Sequence, residues 1–395
     1  MKYVKVKDLG QIVTGNTPPT TDESNYGNFM PFIKATDIQL NSRFTYITEQ
    51  SYSEKSYNKY KANLIPKGST CVVTIGSIGK KMTQAHTDLF VNQAINAILP
   101  NKQFDKDYVY YVTRYAVLPQ LKIYDSGTTS GRENISKSSF SKIRLFIEEN
   151  LSIQRKIASI LSAYDNLIEN NAKRIKLLEQ MAENLYKEWF VRFRFPGHEH
   201  VEMVNGLPKG WKVERLSNIA VYSSAKISGS DIDLYISTEN MLKESAGIDI
   251  NMFIEIPGGN VTKVCINDVL VSNIRPYFKK IWLADRECGC SNDVLSIRAK
   301  MGIDPIFLYY SIRKDAFFDH MVAGSNGTKM PRGNKNFTMK YQIIVPDDTV
   351  MSMFSAIAQR INKQRHVLEQ QSQLLTRQRD LLLPRLMSGK LEVKL

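Results

Sequence analysis

The stretch 152–193, SIQRKIASILSAYDNLIENNAKRIKLLEQMAENLYKEWFVRF, limits the fold more than any other part of the chain. Ile157, Leu161, Tyr164, Ile168, Asn171, Ile175, Leu178, Ala182, Leu185 and Trp189 follow one another in steps of four and three, which keeps them on one stripe of a helix. At about 1.5 Å per residue the stripe is roughly 50 Å long, well beyond an average globular helix. Such a stripe needs a partner along its length. A second stretch of the same character, 354–383, supplies one through Ile357, Ile361, Leu368, Leu375 and Leu382. Its face is broader and partly polar, because Gln364, Gln371 and Gln378 recur at sevens between the leucines. Asn171 lies on the first stripe, where a buried amide fixes register at some cost in stability.

What precedes each helix is also repeated. WKVERLSNI at 211–219 echoes YVKVKDLGQI at 3–12, NDVLVS at 267–272 stands where KGSTCVV stood, and FLYYSIR at 307–313 stands where VYYVTR stood. Tyr110 and Tyr111 are offset from Tyr309 and Tyr310 by nearly the distance that separates Ile157 and Ala158 from Ile357 and Ala358, so the duplication keeps its register over a whole half. Within each copy, β-branched runs such as 3–9, 71–75 and part of 90–99 read as strands, 106–118 reads as a helix, and 15–21 and 65–69 are turns. At 395 residues the chain exceeds one ordinary core. The expected fold is α/β (α+β): two similar mixed α/β domains at 1–150 and 196–348, with long helices in 151–195 and 349–395. These helices are expected to pair antiparallel as an intramolecular coiled coil about a pseudo-twofold axis. Pro196 and Gly197 are expected to end the first helix, and the linker 196–209 lets the chain turn back.

The chemistry is notable for what it lacks. The loop 74–81, TIGSIGKK, has Thr74 where a Walker A loop needs glycine and Lys81 where it needs Ser or Thr. NIRPYF at 273–278 lacks the paired prolines of an amino-methyltransferase motif. His198, Glu199 and His200 sit in the linker without supporting ligands, and His86, His320 and His366 have no nucleophile beside them. Asp347 and Asp348 read as the start of the second long helix. Cys71, Cys265, Cys288 and Cys290 are too irregularly spaced for a disulfide framework or a zinc site, so they read as packed free thiols of a reducing compartment. No apolar run is long enough to span a bilayer, and a cytoplasmic protein is expected.

A formal net charge of +14 attracts polyanions, nucleic acid first among them. The basic residues also recur in place. Thr128, Ser130, Arg132, Asn134 and Lys137 in the loop 126–142 match Asn326, Lys329, Arg332, Asn334, Lys335 and Asn336 in 323–340, each set mixed with glycine. Arginine and lysine read guanine or hold phosphate, amides read adenine, and glycine admits a close backbone. Lys80, Lys81, Arg275, Tyr277, Lys279 and Lys280, from equivalent loops after a strand, are further candidates for DNA contact. A self-contained DNA-modifying enzyme would need a cofactor or metal constellation that the sequence lacks. A coiled-coil scaffold without sequence readout would leave the duplicated basic loops unexplained.

LSAYDNLIENNAKRIKLLEQMAENLYKEWFVRFRFPGHE at 161–199, LPKGWKVERLSNI at 207–219 and LLLPRLMSGKLEV at 381–393 resemble the conserved regions of the specificity subunit of bacterial type I restriction-modification systems. The proline-rich entry common before such helices is reduced here to EENLSIQ and VPDDTVM. The resemblance implies two target recognition domains, each reading half of a split, asymmetric double-stranded DNA site, with the helices as a ruler. It implies a chain with no catalytic group of its own, serving two methyltransferase subunits and the restriction and translocase subunits. S-adenosylmethionine, ATP and magnesium are then expected on those partners rather than here.

Overall fold

The structure is a computed structural model that describes residues 1–40, 42–125, 133–250, 252–327 and 329–393. The chain forms two compact units, one from Met1–Arg174 with Leu368–Leu395 and the other from Ile175–Val367. Each unit is built on two larger sheets with two-stranded pairing beside them, and on parts of two 40-residue helices, Leu151–Phe190 and Asp348–Met387.

In the first unit, Lys2–Lys5 pairs antiparallel with Arg144–Ile147. The strand expected over 3–9 stops at Lys5. Val6 and Leu9, three apart and both fully buried, turn helical, and the Asp8 carboxylate accepts the Lys5 amide at 2.7 Å. A four-stranded antiparallel sheet follows in the order Gly10–Thr14, Ile95–Pro100, Thr70–Val73, Met82–Gln84. Gln50–Tyr52, Tyr26–Ile33 and Phe90–Val91 make a second, three-stranded sheet. The expected helix over 106–118 begins at Lys106, capped by the Asp105 carboxylate, which accepts the Asp107 and Tyr108 amides at 3.0 Å. It is regular only to Val112. A π turn over Thr113–Val117 and a 3-10 segment over Leu118–Tyr124 follow, because Pro119 cannot donate to the α ladder.

The second unit repeats this plan. Lys212–Arg215 pairs with Gln342–Val345, and a four-stranded sheet runs Ala220–Tyr222, Val294–Ala299, Val269–Ser272, Ile281–Leu283, the same order as its counterpart. The Asp304 carboxylate caps Pro305–Ile312 as Asp105 caps Lys106–Val112. The second sheet differs, with Lys226–Ser228, Asn260–Val264, Cys288–Cys290 and Tyr235–Ile236. Cys288 and Cys290 are buried in it as free thiols, and burial pushes both up to about 12. Among the described residues no helix is long and apolar enough to cross a membrane.

Both long helices start on a side-chain cap. Asn150 Oδ1 accepts the Ser152 amide at 2.9 Å, and Asp347 Oδ1 accepts those of Thr349 and Val350 at 3.0 Å. Asp347 Oδ2 also accepts Trp211 Nε1 at 3.2 Å, which ties the second helix to the residue before the strand Lys212–Arg215. The first helix ends at Phe190, before Pro196 and Gly197 are reached. Phe193, at φ 57, reverses the chain in the left-handed region, and Arg194 N closes the end on the Glu188 carbonyl at 2.7 Å. The ring of Phe193 packs edge-on to Trp211 and Phe195 stacks on it, so apolar burial holds a turn that glycine would take more easily.

Within each unit the two helices run antiparallel. In the first, Ile157 and Leu161 share a core with Leu383, Leu386 and Met387. In the second, Tyr186, Trp189 and Phe190 share one with Val350, Phe354 and Ala358. Asn171, Leu178, Trp189 and Leu368 are buried, and Tyr164, Ile168, Ile175, Leu185, Ile361, Leu375 and Leu382 are half-buried. Ile357 is a correction to the stripe read from sequence. It is 40% exposed, and Ala358, four residues after Phe354, takes the inward place.

Candidate nucleic-acid interface

In each unit the loop leaving the third-placed strand of the four-stranded sheet meets the glycine-rich loop that lies far along the chain. In the first unit, Thr70–Val73 runs into the loop 74–81. Ile75 forms a β-bridge with Asn134, the Thr74 carbonyl accepts the Ile135 amide at 2.8 Å, and the Gly76 amide donates to the Glu133 carbonyl at 2.9 Å. The Glu133 carboxylate accepts the Ile78 amide at 3.2 Å, and Ile78 is fully buried beneath the loop. Gly76 and Gly79 hold φ of 87° and 71°, which lets the loop fold over Ile78. Lys80 and Lys137 are exposed on this junction. Thr128, Ser130 and Arg132 lie outside the described residues.

The second unit makes the same junction with different side chains. Val269–Ser272 runs into the loop 273–280. Ile274 bridges to Arg332, the Arg275 amide donates to the Pro331 carbonyl at 2.8 Å, and the Gly333 amide donates to the Asn273 carbonyl at 2.9 Å. Asn326 and Arg332 exchange both backbone hydrogen bonds at 3.0 Å, closing the glycine-rich loop on itself. Arg275 and Lys279 both sit in the left-handed region at φ 50, and such unfavourable backbone persists where surrounding contacts over-determine it. Tyr277, Asn326, Lys329, Arg332, Lys335 and Asn336 are exposed here. Arg332 donates to the Asp293 carboxylate at 2.8 Å, and Asn334 is a helix cap, its Oδ1 accepting the Phe337 amide at 3.0 Å.

The structure thus brings together, within each unit, loops that the sequence offers as separate candidates. It also separates the lysines. Lys81 Nζ donates to the Ala35 carbonyl at 3.1 Å and Lys280 Nζ to the Thr238 carbonyl, so each tethers its loop to the turn 34–38 or 236–240. Burial depresses the Lys280 ammonium. Lys279 is held above its ordinary value by the Asp315 carboxylate 2.9 Å away. Asp293, Glu133 and Asp315 fix the basic side chains or the loops carrying them, and each acts across a sequence gap that no local pattern reveals. His198 Nδ1 meets the Phe195 carbonyl at 2.8 Å, and among the described residues no three His, Cys, Asp or Glu side chains gather as a metal set.

A side-chain network joins the sheet of the first unit to both long helices, at the Thr70 end of the strand and away from the junction loop. Arg43, 7% exposed, reaches Gln84 at 2.8 Å, Asp107 at 2.5 Å and Ser162 on the first long helix at 2.8 Å. Tyr111 donates to Asp165 at 2.5 Å, and Asp165 accepts Arg379 from the second long helix at 2.5 Å. Burial together with the Asp165 charge keeps Tyr111 protonated. The arrangement offers donors, amides and close backbone on two equivalent loop junctions, which suits a polyanion.

Residues 1–180 match the family described as the type I restriction modification DNA specificity domain. Over 99% of its length the chain is 25% identical to the MjaIX type I restriction enzyme specificity subunit of Methanocaldococcus jannaschii, of which it covers 93%. Over 42% of its length it is 32% identical to the HindI type I restriction enzyme specificity subunit of Haemophilus influenzae, covering 36% of that protein. The fold matches the crystal structure of a type I restriction-modification S subunit from M. genitalium, with a TM-score of 0.60, 16% identity, and 100% and 96% of the two chains covered.

Proposed function

We infer that this chain, which belongs to the specificity subunits of type I restriction-modification systems, reads an asymmetric DNA target in two parts, one with each of its duplicated domains. The observation that carries the reading is the repeated loop junction: 74–81 with 133–137, and 273–280 with 326–336, each at the end of an equivalent strand. We propose that recognition belongs to 1–150 and 196–348. Exposed Lys80, Lys137, Lys329 and Lys335 suit phosphate, while Arg332, Asn326 and Asn336 carry the forks and amides that read base edges. Because the side chains of the two junctions differ, the two half-sites differ.

The chemistry on DNA belongs to partner subunits in this proposal. The methyltransferase subunits bring S-adenosylmethionine, the restriction and translocase subunits bring ATP and magnesium, and assembly takes place in the cytoplasm. Two equivalent grooves support a pair of docking sites. One, of about 390 Å³, is lined by Asp105, Arg155, Ser159, Ala163 and Asn166. The other, of about 320 Å³, is lined by Asp304, Met351, Ser352, Ser355 and Gln359. Each runs along the first turns of one long helix.

Mapping methylated sites genome-wide, with the gene present and deleted, tests the assignment. One two-part asymmetric motif should vanish on deletion, and a methylome that does not change would end the proposal. In a complex carrying Arg332→Ala, one half-site should relax or weaken by about 1–3 kcal/mol while the other is unchanged. An equal loss on unrelated DNA, with a shallower salt dependence, would make Arg332 a phosphate contact instead.

A further inference from the structure

The two long helices belong to the two copies of a repeat, so each carries the face that could accept its own kind. Shifted by 200 residues, the offset that lays Ile157 and Ala158 on Ile357 and Ala358, position 165 corresponds to 365 and position 179 to 379. The structure pairs these four side chains crosswise. In the first unit Asp165 Oδ1 lies 2.5 Å from Arg379 Nη1, with 5% and 1% of the two side chains exposed. In the second unit Glu179 Oε1 lies 3.9 Å from Arg365 Nη1. At both places the first helix supplies the acid and the second helix the base.

A second copy of the first helix, laid antiparallel in the same register, would put Asp165 against Glu179 of that copy. Two copies of the second helix would put Arg365 against Arg379. A like-charge pair with one member buried, as Asp165 and Arg379 are, is disfavoured, and flanking charges of this kind decide partner choice in helix pairs. The neighbouring groups do not erase the pattern. Arg43 is committed to Asp107 and Ser162, and Asp380, 2.9 Å from Arg379 and 3.6 Å from Arg114, is one carboxylate shared between two cations. Arg313 already serves Glu179 and Glu183, and it would add a third cation to any pairing of second helices.

We propose that Asp165, Glu179, Arg365 and Arg379 sort the two long helices, so that the first accepts the second and each rejects a second copy of itself. The excluded contact is like helix on like helix from another molecule of this same chain, and the proposal does not depend on DNA reading. Two sets of full-length variants test it by native mass spectrometry and sedimentation equilibrium. A chain neutralised at all four positions (Asp165→Asn, Glu179→Gln, Arg365→Gln, Arg379→Gln) should self-associate about tenfold more tightly than wild type, since like helices no longer repel. Self-association no stronger than that of wild type overturns the proposal. If that chain aggregates, co-expression decides. A chain with Arg365→Glu and Arg379→Glu, made together with one carrying Asp165→Lys and Glu179→Lys, should yield a 1:1 heterodimer by helix exchange. Recovery of the two only as separate chains overturns it equally.

Discussion

At Gly333 an added Cβ would stand 2.7 Å from Asn273 Oδ1 and 3.2 Å from Met321 Cε, at the point where the two loops of the second junction meet. Gly333→Ala should therefore cost roughly 1–3 kcal/mol of local packing and lower affinity for one half-site about tenfold. Binding to targets with either half scrambled would check this, and a loss shared by both halves would contradict it. Lys314 shows a different kind of strain. Its ammonium sits 4.7 Å from the Tyr186 ring centre and donates to Tyr186 Oη at 3.2 Å, and burial pushes it down to about 8. The unfolded chain, with an ordinary lysine near 10.4, binds that proton more tightly. The penalty is therefore full below pH 8 and fades as pH rises toward about 10.4. Lys314→Met should raise the melting temperature at pH 7 by about 2–4 °C, for a gain of about 1 kcal/mol. An equal gain at pH 10 would rule out charge as the cause. Little of this residue detail was legible in the sequence. Arg43 comes from a stretch with no pattern, and its partners Gln84, Asp107 and Ser162 lie 41 to 119 residues away, so only folding shows that it is buried.

At the scale of elements the sequence was far more informative. The stripe through Ile157, Leu161 and Trp189, the tyrosine pairs at 110–111 and 309–310 and the cap at Asp347 all follow from local chemistry, and each is where periodicity or capping rules place it. Errors came where an aromatic or a proline overrode the local rule, as at Phe193, which ends the first helix, and at Pro119, which breaks the helix over 106–118. The polar links between the helices also stayed hidden, because Asp165 and Arg379 lie beside the apolar stripe. Removing Arg379 leaves Asp165 buried, with Tyr111 as its remaining hydrogen-bond donor among those described above. Arg379→Ala should destabilise the first unit by about 3–5 kcal/mol, as urea or thermal unfolding would show. A change under about 1 kcal/mol would mean that the carboxylate takes up a proton or finds water instead.

At the scale of the whole molecule, each 40-residue helix contributes one end to each unit. If the helices set the distance between half-sites, inserting four residues, about one turn, in both should lengthen the unread spacer and leave both half-sites unchanged. A methylome of that variant with the original spacing would defeat the ruler reading. The same division of the chain has a consequence for its synthesis. Ile175–Val367 is continuous, so its core waits for no segment made later. The unit that starts at Met1 takes Leu383, Leu386 and Met387 into its core, so it stays open until those residues have been made. At about 5–20 residues per second, Leu368–Met387 takes a few seconds to make, and through that time the earlier-made half presents an uncovered apolar face. The half that is made first is the last to finish folding, and a premature stop before Leu383 would damage the unit built on Met1–Arg174.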